Sequence, residues 1–437
     1  MRMLSKMKYW IGALILGALV FTACDDEEGE APALTIEALT ATGTSLETGE
    51  EVTVDLNAAS SASDVPPDAV FEITFDREID TETVSASNIS ISDGDNDVAL
   101  TVTADGSVVT VTPNEELIQG TDYTVTVSTA LLASDGGTVT NGSRTFETAG
   151  RLPVVAPQED AQVAYWKLDG NASDEMGNYA DGTEVEVEYQ ADRFGTIESA
   201  AYFDGDASII EIADAGALMT ETQDFTISFW LKPDTTNHFN DDGNQTGMFV
   251  FGLGAFYGIQ YEIFGSYDGS KYAVSYVNDE GTQFAEDMFF PSNATDNTNG
   301  GWQGWDFARS LSVTEMKNTI TQTWYHNVFT YNAAEKKGYL YFNGELMKSF
   351  DFNLWPDGDP KQTAAGVDYR GAEPEVFDDL ALGFIHSRAG TLFDDAAFGN
   401  YENPNANHFK GWLDDFRIIH AAYSEDDVAT LYEAERP

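Results

Sequence analysis

Three stretches of this chain gather aromatic rings with amides and carboxylates, a combination suited to sugars: rings cover the apolar face of a pyranose while polar groups bond its hydroxyls. Residues 290–307 hold Trp302 and Trp305 among Asn, Asp and Gly. Trp355 and Tyr369 flank a loop with Asp357, Asp359 and Lys361, and residues 391–409 offer Phe393, Phe398 and Tyr401 beside several Asn. Trp302, Trp305, Trp355, Tyr369 and Tyr401 are therefore the candidate ligand-binding residues. Large apolar side chains are mostly used inward, so any one of these rings could instead pin its loop to a core. Trp166, Trp230, Trp324 and Trp412 lie in strand-like phrases and read as core.

Catalytic groups are far less well supplied. No H-E-x-x-H, G-x-S-x-G or P-loop string occurs, and His238, His326, His386, His408 and His420 stand singly. With 75 acidic residues against 21 basic ones, a chance pair of carboxylates carries no information, and the chain reads as no enzyme. The net charge of −54 repels nucleic-acid phosphates, excludes that partner class and attracts divalent cations. Asp93, Asp95 and Asp97 alternate like the start of an EF-hand loop. Val98 and Ala104, however, stand where that loop needs Gly and a bidentate Glu, so the run reads as a polar turn.

The elements that must position these loops read as β almost throughout. Between residues 50 and 149, Phe71, Ile73 and Phe75 share a face, as do Ile89 and Ile91, Val109 and Val111, and Tyr123, Val125 and Val127. Turns fall at Asp93-Gly94, Asp105-Gly106 and Gly136-Gly137, which predicts a β-sandwich. Residues 150–160, with Pro153 and Pro157, read as a linker. In residues 161–437, Phe225, Ile227, Phe229 and Leu231 alternate with Thr226, Ser228 and Trp230, and residues 337–350 read as a hairpin folded at Asn343-Gly344. One short C-terminal helix is expected from Ser424, a suitable N-cap, with Val428, Leu431 and Tyr432 on one stripe. Residues 24–49, rich in Glu, Ala, Thr and Gly, read as an acidic flexible tether.

Particular phrases add resemblances. AVFEITFDREIDTETVSASNISISD, VVTVTPNEELIQGTDYTVTVS and SRTFETAG resemble bacterial Ig-like domains, which implies a spacer or presentation module at 50–149. VAYWKLDGNASDEMGNYADGT, DRFGTIESAAYFDGDASIIEI, DFTISFWLKP, WYHNVFTYNAAEKKGYLYFNGELMKSFDF and FKGWLDDFRIIHAAYSEDDVATLYE resemble laminin-G-like, concanavalin A-like jelly rolls. That second likeness implies two packed antiparallel sheets at 161–437 whose concave face and rim bind carbohydrate or protein. It also implies a structural calcium near the first and last strands, at Asp169, Asp174, Asn178, Asp204 and Asp414. Glycan-cleaving relatives of the fold carry E-x-D-x-x-E; residues 161–437 lack it, and Glu78-Ile79-Asp80-Thr81-Glu82 has Thr83 in place of the last glutamate. Residues 234–323 exceed the family's common core, with extra strand-like runs at 248–264 and 271–277.

At the N-terminus, Arg2, Lys6 and Lys8 precede an apolar run from Tyr9 to Phe21, too short to span a bilayer. Phe21-Thr22-Ala23-Cys24 resembles the lipobox of bacterial lipoproteins, and Asp25-Asp26-Glu27-Glu28 resembles the acidic export tag of Bacteroidota surface lipoproteins. These likenesses imply a signal peptide at 1–23, lipidation at Cys24, and an address on the outer face of the outer membrane. Cys24 is the single cysteine, so no intramolecular disulfide can form. The expectation is a non-catalytic surface lipoprotein that binds a polysaccharide or glycoprotein, in company with nutrient-uptake complexes of the same membrane. The alternatives are an adhesion or structural module that binds protein, and a glycan hydrolase or lyase of the same fold.

Overall fold

The structure is a computed structural model and describes residues 31–57, 61–140, 142–291 and 305–437; the side chains of Ser61, Trp305 and Asp306 are not described. Cys24, the segment before it and Trp302 lie outside the described residues.

Alternating β-branched and aromatic residues build the first unit, because extended backbone puts i and i+2 on one face. A five-stranded sheet runs in the order Glu51–Asp55, Ile36–Thr44, Val70–Phe75, Val108–Pro113, Leu100–Asp105. A four-stranded sheet of Ser61–Val65, Ser143–Thr148, Asp122–Val127 and Ile89–Ser92 faces it. The ten alternating residues named between 71 and 127 all point into this core, where Phe71 and Phe146 pack with ring centroids 5.2 Å apart.

One expectation is corrected here. Within the supposed tether 24–49, Ile36–Thr44 is a strand of the five-stranded sheet, paired with both Glu51–Asp55 and Val70–Phe75. Its inward residues, Leu39 and Ala41, include a small one, so the period-2 signal is weak although five of the positions from 35 to 44 are Thr or Ile.

The second unit also closes as two sheets. The nine-stranded sheet runs Glu188–Gln190, Ala200–Asp204, Lys410–Ile419, Phe225–Pro233, Tyr325–Asn332, Lys337–Phe342, Glu345–Asp351, Trp305–Ala308, with Gln162–Trp166 also paired to Lys410–Ile419. The eight-stranded sheet runs Thr183–Val185, Ile209–Ile212, Leu380–Leu382, Met248–Leu253, Ile259–Ile263, Ser270–Asn278, Gln283–Phe290, with Ala364–Val367 also paired to Ser270–Asn278. The runs read as extra strands therefore supply three of this sheet's eight strands. Phe229 stacks on Phe416 at 5.4 Å and meets Phe251 of the opposite sheet edge-on at 5.4 Å. Buried phenols find partners across the core, Tyr272 Oη donating to Asn327 Oδ1 at 2.7 Å.

The hairpin turns at Asn343 (φ 51°) and Gly344 (φ 76°), the left-handed pair a two-residue turn requires. A Cβ on Gly344 would lie 2.9 Å from the Tyr432 ring, so the glycine also admits the C-terminal helix. That helix, Glu425–Glu435, starts at a capping box of Ser424 and Asp427 and buries Val428 and Leu431. A second helix, Val313–Ile320, is capped by Ser312 and Glu315 and buries Met316 and Ile320. Its Ser-x-x-Glu signal lies inside the 234–323 stretch that matched no familiar pattern. The 150–160 segment is laid onto the second unit: Val154 and Ala156 pack with Ile419, Tyr423, Val428 and Leu431, and Tyr423 donates to the Pro157 carbonyl at 2.5 Å.

Candidate functional site

Each sheet of the second unit has an outer face, and polar residues alternate onto both. On the nine-stranded sheet Ser228, Trp230, His326 and Arg417 point outward and are roofed by helix Glu425–Glu435. Arg193 bridges Asp414 and Asp415 and donates its Nε to the Glu435 carbonyl at 2.8 Å. Arg417 pairs with Glu435, Trp230 Nε1 donates to the same carboxylate at 2.8 Å, and Arg151 reaches Asp415 at 2.6 Å. Burial works to raise the Asp415 carboxyl, but the guanidiniums of Arg193, Arg417 and Arg151 outweigh it and hold the group well below its ordinary range. His326 stacks on Trp230 at 5.1 Å and meets Ser228 Oγ at 2.7 Å; burial, then Arg193 and Arg417, push it down to about 3. This face is closed.

The outer face of the eight-stranded sheet is open. Antiparallel register sets Glu262 opposite Lys271, Gln260 opposite Ala273, and Ala273 opposite Asp287. Lys271 Nζ lies 3.6 Å from both Glu262 and Asp287, with side-chain exposures of 17%, 19% and 43% respectively. Gln260 is only 3% exposed; its Nε2 donates to Glu262 at 3.3 Å, and its Oε1 is buried without a partner. Burial raises the Glu262 and Asp287 carboxyls, and Lys271 opposes it in both. Ala273 and Ala285 keep the floor low, while Phe249, Phe256, Phe393 and Phe398 rise along one side. The result is a cavity of about 730 Å³, within the range of small-ligand sites. Phe398 is 47% exposed at its rim.

Of the ligand-binding residues expected from sequence, none of those whose side chains are described lines this cavity. Trp355 is 3% exposed, with Phe352 at 4.9 Å, because the short turns Phe352–Leu354 and Pro360–Thr363 fold it under the sheet edge. Tyr369 is half-buried against the core. Tyr401 donates its hydroxyl to the Ala207 carbonyl and lies edge-on to Phe384 at 5.4 Å, anchoring its loop. Trp355 and Tyr401 are engaged in holding their loops, Tyr369 is half-buried, and none of the three lines the cavity. Trp305 lies in the edge strand Trp305–Ala308 and, like Trp302, has no described side chain. Phe393 and Phe398 were legible as loop aromatics. Gln260, Glu262, Lys271 and Asp287 were missed, although I-Q-Y-E-I at 259–263 carries the alternation that puts Gln260 and Glu262 on one face.

The five residues expected to hold calcium do not fit one ion. Asp174 accepts the backbone amides of Tyr165, Met176, Asn178 and Tyr179 across its two oxygens. Asp204 Oδ1 accepts those of Asp206, Ala207 and Ser208. Asn178 Nδ2 donates to the Val163 carbonyl, Asp169 is exposed, and Asp414 is held by Arg193. A hard cation needs about six to eight converging oxygens, and no group of three or more Asp, Glu, His or Cys is placed to share one among the described residues. Asp174 and Asp204 cap turns, and Asp414 is an ion-pair partner.

The chain is thus all-β, an Ig-like sandwich followed by a concanavalin A-like jelly roll that ends in a short helix. A family model described as bacterial Ig-like domain matches residues 48–148, and one described as concanavalin A-like lectin/glucanases superfamily matches residues 204–386. No curated protein matches the sequence. Among solved structures, the receptor binding domain of botulinum neurotoxin C/D mosaic serotype is 17% identical over 63% of this chain and 52% of its own, with a TM-score of 0.37. The binding domain of Paraclostridial Mosquitocidal Protein 1 is 15% identical over 62% and 52%, TM-score 0.39. The botulinum neurotoxin serotype D ligand binding domain, solved in complex with N-acetylneuraminic acid, is 16% identical over 63% and 51%, TM-score 0.38. This chain spans about half the length of those solved chains.

Proposed function

We propose that this protein is a surface lipoprotein, anchored through Cys24, whose jelly roll binds carbohydrate on the open face of the eight-stranded sheet. The observation that carries the reading is the cavity there: a phenylalanine wall beside Gln260, Glu262, Lys271 and Asp287 on a low alanine floor. A sugar ring packs one face on such a wall while its hydroxyls meet the carboxylates, the ammonium and the unpartnered Gln260 oxygen. The Ig-like unit and the 150–160 segment hold this face away from the membrane, where it serves nutrient-uptake complexes by capturing polysaccharide. The work is binding and not bond cleavage.

An oligosaccharide array probed with the full chain tests this. Saturable binding is expected, weakened at least tenfold in Phe398→Ala and in Gln260→Ala. Phe398 is half-exposed and packs only its inner edge on Phe393 and Phe249, so its variant should still fold, with a small drop in melting temperature. A blank array, or binding untouched by both substitutions, defeats the reading. Release of new reducing ends from the bound sugars would convert it to an enzyme.

A further inference from the structure

We infer that the open face selects uncharged, hydroxyl-rich oligosaccharides and rejects those bearing carboxylate or sulfate groups. This rests on the carbohydrate-binding reading above and names the ligand class for that site.

The charges around the cavity lead there. Glu262, Glu286 and Asp287 line it together with Lys271 and Lys361. Lys361 is committed to Glu286 at 2.5 Å, and Lys271 is shared between Glu262 and Asp287. Three carboxylates therefore face two ammonium groups, both already engaged. Two guanidiniums nearby are occupied as well. Arg388 is doubly bonded to Glu211, and Arg370 stacks on Tyr257 at 4.7 Å and donates to Ser275 Oγ at 3.1 Å. An entering carboxylate or sulfate would find excess negative charge and no cation to release toward it. The field of the whole chain, at −54, has the same sign.

Hydrogen-bond capacity points the same way. The Oε1 of Gln260, 3% exposed, lines the cavity with no partner, and the carboxylates of Glu262 and Asp287 are pure acceptors when ionised. The described lining is weighted toward acceptors, three carboxylates and the Gln260 oxygen against two ammonium groups. Sugar hydroxyls supply donors in adjacent pairs, whereas carboxylate and sulfate groups supply only acceptors. A site with unmet acceptors favours the ligand that brings more donors, and exchanging a sugar's hydroxymethyl for a carboxylate removes one and adds acceptors.

The test compares backbone-matched probes on the full chain, such as β-1,4-linked mannohexaose and hexamannuronate, within an array of neutral oligosaccharides and their uronic-acid, sialylated and sulfated counterparts. Neutral members should bind at least tenfold more tightly than their acidic counterparts, with the gap widening as salt is lowered. Asp287→Asn, at a half-exposed position, should narrow the gap by strengthening the acidic probe. Acidic probes bound as tightly as neutral ones would overturn the inference. If that binding disappeared in Phe398→Ala, the carbohydrate-binding reading would stand without it. A gap unchanged by Asp287→Asn would equally remove these carboxylates as the cause. A blank array would remove the function itself.

Discussion

On the nine-stranded sheet of the jelly roll, Arg193, Arg417, Asp414, Asp415 and Glu435 meet under a helix, with side-chain exposures of 2% or less. On the eight-stranded sheet, Lys271, Glu262 and Asp287 meet at 3.6 Å and up to 43% exposure, with no helix laid over them among the described residues. The open group comes from alternate positions on three neighbouring strands, the closed one from a loop, a helix end and strand Lys410–Ile419, and both have aromatic neighbours. What separates them is the cover. Under helix Glu425–Glu435 each charge is ion-paired and desolvated, so removing one strands its partner. In the open cavity the ions are loosely paired and partly exposed, so a ligand can take the place of water there. Closure turns the same side chains from recognition groups into a clamp.

The largest test of that contrast is Arg193→Ala against Lys271→Ala. The first leaves Asp414 and Asp415 buried without their shared guanidinium and should cost about 3–5 kcal/mol of unfolding free energy. The second removes a partly exposed partner and should cost about 1 kcal/mol or less. Urea titration of the two variants measures both. Similar losses would mean that the two faces do not differ in kind.

Acid sharpens the difference. His326 titrates near 3 in the folded protein against an ordinary 6.5, so the native state binds fewer protons than the unfolded chain between those values. Its contribution is whole above pH 6.5 and is lost as pH falls, amounting to about 2 kcal/mol by pH 5. Glu262 and Asp287 are raised, so they act oppositely, favouring the native state as pH drops through the carboxylate range. His326→Gln should therefore be less stable than wild type at pH 7 yet lose less between pH 6.5 and 5. Denaturation curves at the two pH values read this directly, and parallel losses in both proteins would refute the assignment.

The amount readable from sequence follows the same divide. Strands whose buried residues are large, such as Phe225–Pro233 with Phe225, Ile227 and Phe229, announced themselves, as did the Asn343-Gly344 turn and the Ser424 cap. Ile36–Thr44 did not, because its inward Ala41 gives a faint signal. The loop aromatics were visible as residues but not in direction: Trp355 and Tyr401 carry the composition of a binding loop and fold inward, while Phe398 folds outward. Nothing local distinguishes them. The open cavity depends on Gln260, Glu262, Lys271 and Asp287 coming level across three strands, which is a matter of register. Asp414 in W-L-D-D-F-R stood at an expected calcium position, and the cation that meets it and its neighbour Asp415 is Arg193, more than 200 residues earlier.

The smallest expected effect is on the turns at Asp174 and Asp204. Their carboxylates are filled by backbone amides, as a bound cation would otherwise fill them, so the closed side of the comparison extends to these loops. Melting in millimolar calcium should match melting in magnesium at equal ionic strength, because a chain of net charge −54 gains from either ion only by screening. Asp174→Asn should lower stability by about 1–2 kcal/mol, since an amide is a weaker acceptor for those N–H groups. That loss should be the same with calcium and with chelator. A calcium-specific rise in melting temperature that vanished in Asp174→Asn would show these oxygens turning outward to a metal, and would move the turn from clamp to site.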